Sequence, residues 1–316
     1  MKQQHLRIIL ALAVVIILGV LPNFLSSYYV GLMVLMLVFA IFAMSLDIMG
    51  GYGGMPSLGH AACFGVAAYV AGYLTLKLVN NFWLALVVGL LVAAIIAALF
   101  GLLVLRTRGV YSLMITLALC QVLWGIAFKW TAVTRGDDGL SGIPRPDLAF
   151  IPLDLSGPLA YYFFTLVIFA IAAAAMFRIV QSPFGLALKG VRDSETRMRA
   201  LGYNVWLYRY TAFVIAGFFA GLAGVLSVFY HGFVGPGDLH IAMSAEVLLM
   251  VILGGAGTLI GPIIGAFGIV LLENIVSGFT ARWLIALGAV YVLVILFAPH
   301  GIYKPIKRRV LGWLTP

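Results

Sequence analysis

Long apolar stretches follow one another along nearly the whole 316-residue chain, separated by short polar connections. Unbroken runs of 18 or more such residues mark helices that cross a hydrocarbon core of about 30 Å. A β-barrel would instead alternate apolar and polar positions over segments of about ten residues. Spanning helices are predicted at about 8–22, 29–47, 57–78, 83–105, 110–130, 159–179, 207–230, 243–257, 259–277 and 282–299. The expected fold class is an all-α polytopic membrane protein of about ten transmembrane helices (8–10), some broken or re-entrant, forming a single domain over 1–316. The basic start and apolar core of residues 1–20 resemble a signal peptide. The next residues, Leu21-Pro22-Asn23-Phe24, hold no small-x-small cleavage site, so an uncleaved first helix is expected.

Where the charges fall sets the sidedness. With the N-terminus inside, the connection with Arg106 and Arg108, the segment 181–206 and the tail with Lys304, Lys307, Arg308 and Arg309 all fall on the cytoplasmic side. The long 131–158 loop, richer in acid (Asp137, Asp138, Asp147, Asp154) than in base (Arg135, Arg145), falls on the periplasmic side. Every charged loop then obeys the positive-inside rule, which favours an even count with both termini cytoplasmic. Composition agrees: 64% of residues are hydrophobic and 9% charged, which excludes a water-soluble globule. The net charge of +9 sits in inter-helix loops and ends, a pattern that orients a membrane protein and argues against nucleic acid.

Two glycine clusters interrupt the helical pattern. Gly50-Gly51-Tyr52-Gly53-Gly54-Met55-Pro56-Ser57 with Gly59 separates the second and third segments, and Gly254-Gly255-Ala256-Gly257-Thr258 with Gly261-Pro262 separates the eighth and ninth. Close helix packing and tight turns explain such clusters. Broken helices lining a translocation path explain them equally, because irregular backbone at membrane depth survives only against protein or a watery cavity. The path candidates are Gly51, Gly53, Gly54, Pro56, Ser57, Gly59, Gly254, Gly255, Gly257 and Thr258. The eighth and ninth segments are short enough to be re-entrant. Ionisable groups within or beside the membrane are few: Asp47, Lys77, Glu246, Glu273 and Arg282. Glu246 is either a buried carboxylate or a helix-start residue near the outer face, Asp47 abuts the first cluster, and Glu273 and Arg282 flank a turn where they would pair. So neutral an interior suits passage of a small substrate better than ion coupling.

Outside the bilayer, two stretches invite a role. Thr134-Arg135-Gly136-Asp137-Asp138-Gly139-Leu140-Ser141 is turn-rich, within a loop longer than a compact connection needs. It is either a solvated connection or an external docking surface or gate, with Arg135, Asp137, Asp138 and Ser141 as candidates. Ser182 to Arg209 is a basic island with five Lys/Arg from Lys189 onward. Burying those five at mid-bilayer would cost about 12–18 kcal/mol, so the island lies outside the membrane. Ser182 before Pro183 reads as a helix N-cap with proline at the first position. Asp193 or Ser194 caps a second short helix that runs to Leu201 and stops at Gly202, with Met198 and Leu201 on one face with Glu195. Such a helix lies on lipid headgroups or docks into a partner's groove.

Catalytic motifs are missing. There is no Gly-Lys pair and so no P-loop, no HExxH and no Cys/His cluster; Gly255-x-Gly257 lies in an apolar run with no strand before it. No metal site is expected. Cys63 and Cys120 read as buried core residues, and His60, His231, His240 and His300 fall near helix ends.

Several motifs, in order, are similar to those of the LivM-type permeases of branched-chain amino acid ABC importers. They are Ser45-Leu46-Asp47 leading into Gly53-Gly54-Met55-Pro56-Ser57-Leu58-Gly59-His60-Ala61, then Phe64-Gly65 with Ala68-Tyr69, then Thr134 to Leu140, Ser182-Pro183-Phe184-Gly185, Ala200-Leu201-Gly202, and Gly254 to Thr258 with Gly261-Pro262. Permeases for urea and short amides look similar; a stand-alone carrier or channel is the rival of another class. The resemblance implies a non-enzymatic permease subunit of the bacterial inner membrane, working with a second permease, two cytosolic ATPases that bind the ATP and Mg, and a periplasmic binding protein. It also implies that the 181–206 loop couples to the ATPases through Ser182, Pro183, Gly185, Arg192, Asp193, Glu195, Arg197, Met198, Ala200, Leu201 and Gly202. Where the family pattern is Glu-x-Ala-Ala-x-Ala-Leu-Gly, Arg197 and Met198 stand at the two small positions.

Overall fold

In the computed structural model, residues 18–107, 109–146, 155 and 157–279 are described, with isolated positions beyond. After a 3₁₀ turn at Leu21–Phe24 the chain forms α1 (Ser27–Asp47), which widens into a π-helical turn over Ile48–Tyr52. Then come α2 (His60–Lys77), α3 (Phe82–Val104) and α4 (Val110–Lys129). The segment 130–146 carries β1 (Leu140–Ser141), and the long helix α5 (Pro158–Gln181) follows. Two short helices follow, α6 (Pro183–Asp193) and α7 (Glu195–Ala200), then α8 (Val205–His231) and β2 (Phe233–Val234). The described chain closes with α9 (Ile241–Gly254) and α10 (Ile260–Phe279).

Six helices among the described residues are long and apolar enough to cross a membrane: α1 with its π turn, α3, α4, α5, α8 and α10. This is an all-α polytopic membrane protein. The predicted segment 57–78 starts only at His60, because Met55–Gly59 is not helical. The predicted 243–257 ends at Gly254 and has 14 residues, about 21 Å of helix. The predicted 8–22 and 282–299, with Arg282, His300 and the basic tail, lie outside the described residues but for the last turn of the first and isolated positions of the second.

α1 and α8 form the centre, with 89% and 83% of their apolar windows buried, while α4 has 17%. Small residues let α8 sit there. A side chain at Gly217 or Gly221 would run into Ala97 and Ala93 of α3, and one at Gly224 into the Phe64 carbonyl of α2. Gly217 and Gly221 make a small-xxx-small seam, the device by which membrane helices approach closely when no hydrophobic driving force separates protein from lipid. Cys63 and Cys120 are free and buried, as expected of core residues.

Candidate functional site

The two glycine clusters, about 200 residues apart in sequence, meet at one joint. Asp47, on the last turn of α1, is fully buried. Its carboxylate accepts backbone N–H bonds from Gly257 (2.6 Å), Thr258 (3.2 Å) and Leu259 (3.0 Å) in the turn that opens α10. A helix start leaves N–H groups without intrahelical partners, and an acidic group there satisfies both hydrogen bonding and dipole. The charge that the sequence placed merely beside a cluster is thus the buried carboxylate, whereas Glu246 is only half-buried, with one oxygen enclosed. The reason is packing: Gly51 lies against both the Asp47 carboxylate and the Gly257 N–H, and any side chain there would overlap them.

Side-chain hydroxyls, two of them from neighbouring helices, accept from the irregular backbone before α2 and from its first turn. Leu58 N–H donates to Thr116 Oγ1 of α4 (3.2 Å), Gly59 N–H to Ser57 Oγ (3.1 Å) and Ala61 N–H to Ser244 Oγ of α9 (2.9 Å). His60 stacks on Phe42, and its Nε2 lies 2.8 Å from Ser45 Oγ. Ser45 Oγ also lies 2.7 Å from the Phe42 carbonyl, so the hydroxyl bridges the helix backbone and the imidazole. Gly53 and Ser57 are buried, Gly54 and Pro56 exposed; Gly254 and Gly255 are buried and Gly257 and Thr258 half-buried. The ten path candidates therefore gather around one joint. They do not line either of two apolar cavities, one of about 310 Å³ among α2, α3, α4 and the segment 130–146, one of about 760 Å³ among α3, α5 and α8.

Against this joint rests the basic island, folded as the arm α6–α7. Ser182 and Pro183 start α6, but the Ser182 hydroxyl donates backward to the Ile179 carbonyl (2.6 Å) instead of capping. Gly185 lies so close to the Val180 carbonyl that a side chain would overlap it. Ser194, not Asp193, caps α7 by accepting from Arg197 N–H (3.4 Å), and Asp193 pairs with Arg192 (3.1 Å). Gly202 follows α7 at φ +86°, and Tyr203 N–H closes the turn on the Met198 carbonyl (3.0 Å). Met198 and Leu201 do not share a face: Met198 packs back on Gly190 of α6, while Leu201 is 70% exposed beside exposed Arg197 and Ala200. Glu195 is an internal clip, bonded to Arg199 (2.6 Å) and to Arg209 of α8 (3.2 Å).

Lys189 and Arg192, three residues apart on α6, both face the π turn. Lys189 Nζ lies 4.8 Å from the Tyr52 ring centroid, and Arg192 Nη1 donates to the Gly51 carbonyl (2.6 Å) while the arginine stem lies against Gly54. The Gly51 carbonyl ends a helix whose ladder has already broken, so a cation there offsets both an orphan acceptor and the negative end of the dipole.

On the opposite end of the bundle, β1 pairs antiparallel with β2, Leu140 opposite Val234, and Ile143 N–H donates to the Gly232 carbonyl (3.0 Å). This pins the segment 140–143 to the end of α8. Arg135 adopts a left-handed conformation (φ 60°), and it, Asp137, Asp138 and Ser141 are all exposed on the one segment.

Residues 28–299 match the family described as branched-chain amino acid transport system, permease component. The chain belongs to this family. It is similar to the high-affinity branched-chain amino acid transport system permease protein LivM of Escherichia coli K12, with 29% identity over 302 residues covering 89% of this chain and 71% of that one. The probable branched-chain amino acid transport permease protein LivH of Methanocaldococcus jannaschii is 27% identical over 77% of this chain and 84% of its own length. The autoinducer 2 import system permease protein LsrC of Escherichia coli O9:H4 is 27% identical over 86% of this chain and 80% of its own length. No solved structure matches the chain.

In this permease, sequence reasoning named the glycines and the arm but missed the bond that joins them. The signal was present in part. An acidic residue ending an apolar helix beside a glycine cluster is poorly placed for the dipole of its own helix, which points to service for another.

Proposed function

We propose that this chain is one membrane-spanning subunit of an ATP-driven importer for branched-chain or other neutral amino acids. The observation that carries the reading is the α6–α7 arm, a folded element projecting from a permease-family bundle whose sequence holds no nucleotide loop. In this reading the arm is cytoplasmic, two partner ATPases that bind ATP and Mg dock on the exposed Leu201–Arg197 side, and a second permease completes the pathway. The external segment with Arg135, Asp137, Asp138 and Ser141 receives a periplasmic binding protein, and the joint of broken helices borders the path. In this reading the chain crosses the bacterial inner membrane about ten times (8–10, with α9 and α10 spanning or re-entrant) and keeps both ends in the cytoplasm. Relatives named for different cargoes share this length of likeness, so the carried side chain is a separate matter from the machine.

Reconstitution in proteoliposomes tests the reading. Uptake of leucine is expected only when ATP, both ATPases, the second permease and the binding protein are all present. Uptake by the purified chain alone would point to a stand-alone carrier and sink the importer. Within the working complex, Glu195→Lys sets three cations together where one carboxylate held two, and Gly202→Pro forces a φ that proline cannot take. Both variants are expected to insert at wild-type level and to lose substrate-stimulated ATP hydrolysis; wild-type stimulation in both would remove the arm from coupling.

A further inference from the structure

We propose that Arg192, seconded by Lys189, carries movement of the α6–α7 arm into the joint between α1 and α10. The inference rests on the importer reading above and assigns a transmitting residue within it. A chain of contacts makes the route continuous. α7 is packed on α6 through Met198 against Gly190, so the exposed tip and α6 form one body, and Glu195–Arg209 ties that body to the start of α8. α6 buries Leu188 and Val191 and directs Lys189 and Arg192 to the π turn. Arg192 Nη1 holds the Gly51 carbonyl and lies beside Gly257 as well, so one guanidinium touches both broken segments. Gly51 in turn packs on Asp47 one helical turn earlier, the residue that holds the start of α10.

The compliance lies where a switch requires it. α1 is an ordered α-helix to Asp47, and its ladder then changes register: Gly53 N–H bonds to the Ile48 carbonyl and Met55 N–H to the Met49 carbonyl. A π turn is a local departure from the α ladder and yields more readily than the helix before it. Shifting Gly51 must shift the Asp47 and Gly257 groups pressed against it, because glycine leaves no side chain to absorb the displacement. The competing account is a helix-end cap that only stabilises; there Arg192 would matter for assembly and not for stimulation.

The test uses the complete complex in proteoliposomes, reading ATPase subunits retained per permease and the ratio of hydrolysis with and without loaded binding protein. Arg192→Ala is expected to keep the full complement of ATPases and to lower the stimulated ratio about tenfold, the scale of one charge-assisted hydrogen bond. The binding-protein concentration for half-stimulation is expected to stay unchanged, and Arg192→Lys to recover most of the ratio. Gly54→Ala, whose new methyl would displace the Arg192 stem and strain a residue at φ +68°, is expected to lower the ratio at least as far without replacing the arginine. A wild-type ratio in Arg192→Ala, or a ratio that falls only in step with lost ATPases, overturns the proposal. If the wild-type chain retains no ATPase, the importer reading fails first and takes this proposal with it, so the two failures are told apart by the unmutated protein.

Discussion

Asp47→Ala is expected to be among the most damaging single substitutions, lowering both the amount of permease in the membrane and its melting temperature in detergent. The change removes one buried carboxylate and strands three backbone N–H groups, those of Gly257, Thr258 and Leu259. A stranded donor costs about 1–3 kcal/mol when fully buried; Leu259 meets that condition while Gly257 and Thr258 are half-buried, so the loss is a few kcal/mol against a folded-state margin of about 5–15 kcal/mol. Asp47→Asn keeps one acceptor oxygen but turns an amide N–H toward backbone donors, and it is expected to fall between alanine and wild type. The check is quantitative blotting of membranes together with a detergent melt. An Asp47→Ala protein that melts with the wild type would show that the α1–α10 joint is not held by this carboxylate.

The second large effect is expected at the α9–α10 seam. A methyl added at Gly265 would overlap the Met250 carbonyl, and one at Gly254 would overlap the Gly261 carbonyl. Both obstacles are backbone, which gives way far less readily than the end of a side chain. Overpacking of this kind costs about 1–3 kcal/mol per site and more when backbone must move. Gly265→Ala and Gly254→Ala are therefore expected to lower the melt, while Gly125→Ala and Gly278→Ala, both within helices and with nothing within 4 Å of the new methyl, are expected to leave it unchanged or raise it. If all four variants melt together, the seam is looser than its geometry requires.

The α6–α7 arm was legible because its signals are local. Ser182-Pro183, Ser194 and Gly202 mark helix ends by groups within a few residues of the backbone they serve, and the structure starts and stops α6 and α7 at those positions. Which way the arm faces was not legible. Glu195 and Met198 read as one surface with Leu201, but Glu195 is claimed by Arg209 and Met198 by Gly190, partners that sequence spacing within α7 does not reveal. The Arg192 bond spans 141 positions and the Asp47 bonds more than 200, so no local pattern carries them.

What the sequence determined by itself is the class of molecule, the sidedness expected of its loops and the places where helices break. Those follow from costs that act residue by residue: charges leave the hydrocarbon, apolar runs must be long enough to cross, and clustered glycines with a nearby proline weaken a helix where a single glycine does not. Which helices stand at the centre was decided only in three dimensions. α3 has the highest mean hydropathy, 3.0, yet 39% of its window is buried, while α1 at 2.5 and α8 at 2.3 form the core. The reason is that lipid and protein interior are equally apolar, so hydropathy does not sort one from the other. Position is settled instead by close packing at small residues and by the few polar groups, Asp47 and Arg192 foremost, whose partners lie on other helices.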